Sequence, residues 1–320
     1  MRGRFFILLC FYNVLDTNIG FITKVYYYNK YMTLYILGNG FDLAHDLNTS
    51  YAHYRKFIKD NLKQNYKWDI ILDYYPEEYA FWSDIEYNVC NINKAHYLSL
   101  KHLFSFGLLD ELLRQIHISF EKFILKRESA IFSLKPRFEF DKGAYFFSFN
   151  YTTVLEDVYK IDRKKITYIH NDISGPALEI MYNIQNHTPC IIGHSCLENN
   201  YAFHSDLLED KEYRDFIKNT TKESEIILKQ SGVDRFLKDN RNNIDKVVFY
   251  GFSFSITDKA YAKAIFDALD DGKTAIFVYY KVLGNKNKEE CLSQFKKRLC
   301  DCSIDIKNVI FVDCDTTNKI

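Results

Sequence analysis

The residues of this chain whose types could do chemistry come directly after short apolar runs. Asparagine can hold a water molecule or a glycosidic oxygen, and histidine can act as a general base near neutral pH. Glycines and small hydroxyl groups suit contacts with phosphate and ribose. The candidates are Gly38, Asn39, Gly40, Phe41 and Asp42, then Asn150 and Thr152, then His170, and finally Gly251 and Ser253. Together they indicate a nucleotide site, although each residue alone also fits a structural role.

The first of these groups follows four apolar residues at 34–37 and contains two glycines separated by one residue. This pattern is typical of a buried parallel strand that turns into a helix, where backbone N–H groups approach a phosphate. The third glycine of the dinucleotide-binding pattern would fall at Leu43, and Asp42 would repel a phosphate. We therefore expect Gly38 and Gly40 to contact phosphate, and Asp42 to bind ribose hydroxyls or polarise a water molecule. The alternative is a tight strand-to-helix turn that binds nothing.

Strand and helix patterns alternate along the chain, which predicts an α/β fold with a doubly wound, mostly parallel sheet. The carboxyl ends of parallel strands share one edge of a sheet, so the candidate residues are expected to meet in one cleft. We predict a single domain over residues 32–314, with a helical cap inserted at about 51–135 and a smaller insertion at about 197–243. Residues 1–31 are interpreted as an appendage, with Met32 as an alternative translation start, and residues 315–320 as a tail.

The composition argues against several classes of function. Lysine plus arginine and aspartate plus glutamate both number 42, so the chain has no net charge with which to hold nucleic acid. The apolar run at 5–12 is too short to span a bilayer. None of the eight cysteines forms a C-x-x-C pair, and His187, His194 and His204 lack the spacing of a metal site. We expect a cytoplasmic protein with no membrane segment, no nucleic-acid partner and no bound metal.

A family resemblance rests on these motifs and their order along the chain. The matching segments are 38–42 with 49–51, then 82–86, then 149–152 with Glu156, then 169–170, and finally Gly251 and Ser253 with 257–258. Over residues 34–312 the chain resembles the bacterial AbiH family of phage abortive-infection proteins. That family is in turn similar to the sirtuin-like NAD-binding fold, so the resemblance implies a Rossmann-like, sirtuin-like sheet and NAD as substrate or ligand.

The resemblance also implies a role for each matching residue. Gly38 and Gly40 would meet the NAD phosphates together with Asn39 and Phe41, while Gly251 and Ser253 would contact the dinucleotide. Asn150 would lie at the nicotinamide ribose with Thr152 nearby, and His170 would act as the base. The chain departs from the sirtuin pattern at Asp42, Thr152 and Asn171, and it lacks the zinc ribbon, which argues against protein deacylation.

Two hypotheses about function follow from this resemblance. In the first, an anti-phage effector hydrolyses the bond between nicotinamide and ribose in NAD. In the second, the protein binds NAD or an ADP-ribose-type nucleotide without catalysis and acts as a sensor or an interaction protein. Either form could respond to a phage or host protein trigger and could assemble as an oligomer.

Overall fold

The computed structural model describes residues 32–62, 108–172, 224–269, 273–281 and 287–314, the short pieces 194–195 and 221–222, and the single positions 69, 72 and 211. Six strands form the large sheet, and two more form a separate small one. The strands are β1 (Met32–Leu37), β2 (Tyr145–Ser148), β3 (Ile166–Tyr168), β4 (His194–Ser195), β5 (Thr221–Lys222), β6 (Ile244–Tyr250), β7 (Ala275–Tyr280) and β8 (Val309–Asp313). The large sheet has the order β3-β2-β1-β6-β7-β8, and every pairing in it is parallel.

Helices connect these strands on both sides of the large sheet. They are α1 (Asn39–Ala44), α2 (Tyr51–Asn61), α3 (Leu108–Ile131), α4 (Val154–Asp157), α5 (Ser224–Gln230), α6 (Val233–Asn240), α7 (Lys259–Leu269) and α8 (Lys288–Asp301). Short 3₁₀ turns at Arg163–Lys165 and Ile256–Asp258 precede β3 and α7. The Ser50 hydroxyl caps α2 by accepting from the N–H of His53.

The large sheet has a separate apolar layer on each face. All six residues of β1 are buried, and they alternate between the layers because successive side chains of a strand point to opposite faces. Leu34 and Ile36 pack in the layer that contains α5, α6 and α7. Tyr35 and Leu37 pack in the layer that contains α4 and Phe41 of α1. A sheet covered on both faces explains why β1 reads as a continuous apolar run.

One row of paired residues marks the carboxyl edge of the sheet. It consists of Tyr168, Ser148, Leu37, Tyr250 and Tyr279, each in register with the next. The order of the strands reverses between β1 and β6, because the chain leaves β3 at one edge and returns beside β1. Parallel α/β sheets bind ligands at such a reversal, outside the carboxyl ends of the strands.

The predicted α/β class and parallel sheet are confirmed, with corrections to individual elements. β1 begins at Met32 rather than at residue 34. The strand His194–Ser195 pairs with Thr221–Lys222 in the separate small sheet.

Several predictions about domain organisation remain untested. In the predicted cap, Tyr54 Oη of α2 donates to the Ile116 carbonyl of α3 over 3.1 Å, so these two helices are joined. The cap as a whole stays a prediction, because most of 62–107 lies outside the described residues. The appendage at 1–31, the tail at 315–320 and the motif at 82–86 also lie outside them.

No helix in the described parts of the chain is both long enough and apolar enough to cross a membrane.

Candidate functional site

Three glycines bring the turn after β1 against the loop after β6. The N–H of Gly38 donates to the Tyr250 carbonyl over 3.0 Å, and the N–H of Gly40 donates to the Gly251 carbonyl over 3.0 Å. A Cβ at Gly38 would lie 2.5 Å from the Gly251 oxygen, and one at Gly40 would lie 2.5 Å from the Gly251 Cα. Gly251 itself has a φ of +64°, and a Cβ there would lie 2.4 Å from the backbone nitrogen of Phe41. All three positions require glycine because two backbones touch.

This contact changes the interpretation of the glycine motif. From the sequence, we predicted that the N–H groups of Gly38 and Gly40 contact a phosphate. In the structure, both groups donate to carbonyl oxygens of the protein itself. The glycines therefore position the strand ends, and a bound phosphate needs other donors.

Asp42 is a buried carboxylate held by two side chains from the loop after β2. Asn150 Nδ2 donates to Asp42 Oδ1 over 3.0 Å, and Thr152 Oγ1 donates to Asp42 Oδ2 over 2.8 Å. Asp42 is 1% exposed, and burial raises its pKa to about 7, although the two hydrogen bonds act in the opposite direction. The negative charge of Glu128 raises this pKa further. Asp42 is thus poised to exchange a proton near neutral pH.

The amide of Asn150 has a fixed orientation. Because its Nδ2 donates to the Asp42 carboxylate, its Oδ1 must point elsewhere. That oxygen is buried and accepts no hydrogen bond from any residue that the structure describes. A buried acceptor without a partner is uncommon and costs free energy, so it calls for an explanation. A hydroxyl group or water molecule in the adjoining cleft would satisfy it.

His170 follows β3 and is 4% exposed. Its ring meets the edges of Phe149 and Tyr261, with ring centroids 5.5 Å and 5.6 Å away. Tyr151 lies at 6.0 Å in a tilted arrangement. These rings hold the imidazole in one place at the carboxyl edge of the sheet.

One cleft joins residues from four strand ends, and the described walls enclose a volume of about 240 Å³. The cleft is lined by seven of the ten predicted site residues, namely Gly38, Asn39, Asp42, Asn150, His170, Gly251 and Ser253. The opposite wall carries Tyr51 of α2 and Phe120 of α3, whose ring centroids lie 6.3 Å apart. Thr49 Oγ1 donates to Asn39 Oδ1 over 2.6 Å and fixes that side chain at the rim.

The other three predicted residues do not line this cleft. Gly40 lies on the far side of the glycine contact, where it lines a second cavity. Phe41 is 1% exposed and packs its ring edge-to-face on His45 at 4.7 Å, so it belongs to the core. Thr152 is buried behind Asp42 and acts on that carboxylate.

Glu128 of α3 is a residue that sequence reasoning missed. Its carboxylate accepts from the Thr153 N–H and from Thr153 Oγ1, both over 2.8 Å. The same hydroxyl lies 2.5 Å from Asp157 Oδ2. A hydroxyl has one hydrogen, so Thr153 Oγ1 can donate it to only one of the two carboxyl groups at a time. Burial first, and then the charges of Asp157 and Asp172, raise the pKa of Glu128 to about 7, although the two hydrogen bonds from Thr153 act in the opposite direction.

Comparison with known proteins identifies a family. The family model described as "Bacteriophage abortive infection AbiH" matches residues 34–107 and 98–280, which together cover more than half of the chain. No curated protein and no solved structure matches the chain. Within the described residues, no group of three or more histidine, cysteine, aspartate or glutamate side chains is arranged to hold a metal ion.

Proposed function

This chain belongs to the bacteriophage abortive infection AbiH family, and we propose that its cleft binds NAD and hydrolyses the bond between nicotinamide and ribose. The family suggests a role in abortive infection of phage-infected bacteria. Loss of NAD in the cytoplasm would halt the growth of the infected cell and so limit the phage. The meeting of Asp42, Asn150 and His170 in one cleft is the observation that carries the proposal.

The topology of the sheet supports a dinucleotide as the ligand. If the six strands of the large sheet are numbered 1 to 6 in chain order, their order across the sheet is 3-2-1-4-5-6. This is the order of dinucleotide-binding sheets. The cleft lies at the point of reversal, where such sheets hold their ligands. This agreement also supports the sirtuin-like fold implied by the sequence motifs.

The size of the cleft limits which part of NAD it would hold. Pockets for drug-sized ligands commonly measure roughly 300–1,000 Å³, and the described walls enclose about 240 Å³. We therefore assign this cleft to the nicotinamide and its ribose. Tyr51 and Phe120 offer aromatic surface on which the nicotinamide ring can stack.

The proposed reaction is the hydrolysis of NAD to nicotinamide, ADP-ribose and a proton. The bond between C1′ of the ribose and the pyridinium nitrogen breaks, and its electron pair neutralises that nitrogen as nicotinamide leaves. Water adds its oxygen to C1′, and His170 takes the proton that the water loses before releasing it to solvent. The Asn150 Oδ1 atom, which has no donor among the described residues, accepts from the water or from a ribose hydroxyl. Ionised Asp42 stabilises positive charge that develops on the ribose.

The test is to incubate purified protein with NAD and to measure nicotinamide and ADP-ribose by chromatography, with NAD binding followed by calorimetry. General-base help contributes about 10²- to 10⁴-fold in rate, so His170→Ala should lose turnover by that factor and keep NAD binding. Asn150→Ala should weaken binding and turnover together, and Asn240→Ala in α6 should change neither. An unchanged rate in His170→Ala would remove His170 as the base.

The protein could bind NAD and release no nicotinamide, both when purified and in phage-infected cells. That result would refute the hydrolase hypothesis in favour of the nucleotide-sensor hypothesis. In that case Asn150→Ala should still weaken NAD binding. Absence of both binding and turnover would contradict the proposed ligand.

A further inference from the structure

A second cavity lies on the other side of the contact between Gly40 and Gly251. It has a volume of about 460 Å³, which is within the range of roughly 300–1,000 Å³ found for small-molecule sites. Its walls are largely apolar and aromatic, with Tyr250 and Tyr279 from the sheet and Phe295 from α8. Leu43 of α1 also lines it and is 40% exposed.

Two cations line this otherwise apolar cavity. Lys281 follows β7, and Arg298 projects from α8. Arg298 Nη1 donates to the Ser253 carbonyl over 3.1 Å, and the guanidinium lies 5.7 Å from the centre of the Phe295 ring. That contact uses one of the five N–H groups of the guanidinium. No carboxylate is present among the described residues that line the cavity, so the two charged side chains among them are both positive.

We propose that this second cavity is a binding site for a small aromatic anion, a molecule with one planar ring system and one carboxylate, sulfonate or phosphate group. The ring would lie among Tyr250, Tyr279 and Phe295, where its apolar surface leaves water. The anionic group would accept from Arg298 and Lys281, and a guanidinium binds such groups in a planar, two-pronged manner.

The second cavity is separate from the cleft that contains Asp42, Asn150 and His170. The two share only segment 251–253 of the described residues. The tight backbone contact between Gly40 and Gly251 stands between them. The proposal therefore does not depend on whether the first cleft binds or hydrolyses NAD.

The test uses the anionic probe 8-anilinonaphthalene-1-sulfonate on the folded, full-length protein. Its fluorescence should rise in a saturable manner with one site per chain. N-phenyl-1-naphthylamine, which has the same rings without the sulfonate, should bind at least about tenfold more weakly, because a hydrogen bond to a charged group contributes about that factor. Arg298→Gln should weaken binding of the anionic probe about tenfold and leave binding of the neutral one unchanged.

Matched variants make each outcome decisive. Lys297→Gln removes one positive charge from the neighbouring position of α8, which does not line the cavity, and should leave probe binding unchanged. Asn150→Ala alters the first cleft and should also leave it unchanged. Equal loss of probe binding in Arg298→Gln and Lys297→Gln would mean that the net charge of the protein, and not a contact in the cavity, attracts the probe. Equally tight binding of the neutral probe would show that the site does not require an anionic group. A loss in Asn150→Ala would place the probe in the first cleft and overturn the second site.

Discussion

Replacing Asp42 by asparagine should change how the stability of the protein depends on pH. The pKa of Asp42 rises from 3.8 to about 7 in the folded protein. A carboxyl group whose pKa is raised by folding binds its proton more tightly in the folded state, so it favours folding at low pH. Below pH 3.8 the group is protonated in both states and costs nothing. As pH rises through 7 the folded protein must ionise it in a buried site, and stability is lost.

The size of this effect follows from the two pKa values. Each pKa unit corresponds to about 1.4 kcal/mol, so the loss approaches about 4 kcal/mol well above pH 7. About 2.5 kcal/mol of it falls between pH 5 and pH 8. Asparagine at position 42 carries no charge and avoids this loss, but one of the two acceptor oxygens that Asn150 and Thr152 now use becomes an NH₂ group, which can only donate. One donor is left without a partner, which costs about 1–3 kcal/mol at every pH.

The assay is urea unfolding of the wild-type protein, Asp42→Asn and Asp60→Asn at pH 5, 6, 7 and 8. Asp42→Asn should have a lower free energy of unfolding than wild type at pH 5. Between pH 5 and pH 8 the free energy of unfolding of Asp42→Asn should rise by about 2.5 kcal/mol relative to that of wild type. Asp60 lies on the exposed side of α2, so Asp60→Asn should follow the wild-type curve. If Asp42→Asn and Asp60→Asn keep a constant difference across this range, Asp42 does not have the raised pKa on which this reasoning depends.

Three further substitutions test the contacts around the site. Gly251→Ala should unfold the protein or destabilise it by more than about 3 kcal/mol, measured by urea unfolding, whereas Gly143→Ala, at a φ of +82° with open space around it, should cost only about 1–2 kcal/mol. Thr152→Val removes a hydrogen bond that lowers the pKa of Asp42, so the infrared band of the protonated carboxyl group should persist to higher pH than in wild type. Tyr54→Phe removes the buried hydroxyl that joins α2 to α3 and should lower the unfolding free energy by about 1–2 kcal/mol, with a shift of the urea midpoint as the readout.

Seven of the ten candidate residues line one cleft, and the strands that precede them carry strong local patterns. Residues 34–37 of β1 and 247–250 of β6 are continuous apolar runs, and parallel pairing places the residues after them on one edge. Asn150 and His170 meet Asp42 in one cleft for the same reason. An apolar run and a glycine pair are local signals, and they can be recognised without knowledge of tertiary contacts.

The hydrogen-bond partners of those residues could not be predicted from local sequence patterns. The N–H groups of Gly38 and Gly40 donate to a loop more than 200 positions away, which no local pattern reveals. Glu128 reaches Thr153 through the packing of a long helix against the loop after β2. A signal did exist for Glu128, since it is an acid between Ile124 and Ile131 on the apolar stripe of α3. An unexplained charge on an apolar stripe predicts a buried partner, although it does not identify it.

The pairing of β1 also has a consequence for synthesis on the ribosome. Leu34 pairs with Val247, which is 213 positions further along the chain. At about 5–20 residues per second, β1 waits roughly 10–40 s after its own synthesis before β6 is made. Its apolar surface lacks that neighbour throughout this period, and exposed apolar surface with an unpaired strand edge is prone to aggregation. Ser253 and Gly251 follow β6 and complete the cleft, so a chain that stops before residue 250 cannot form it.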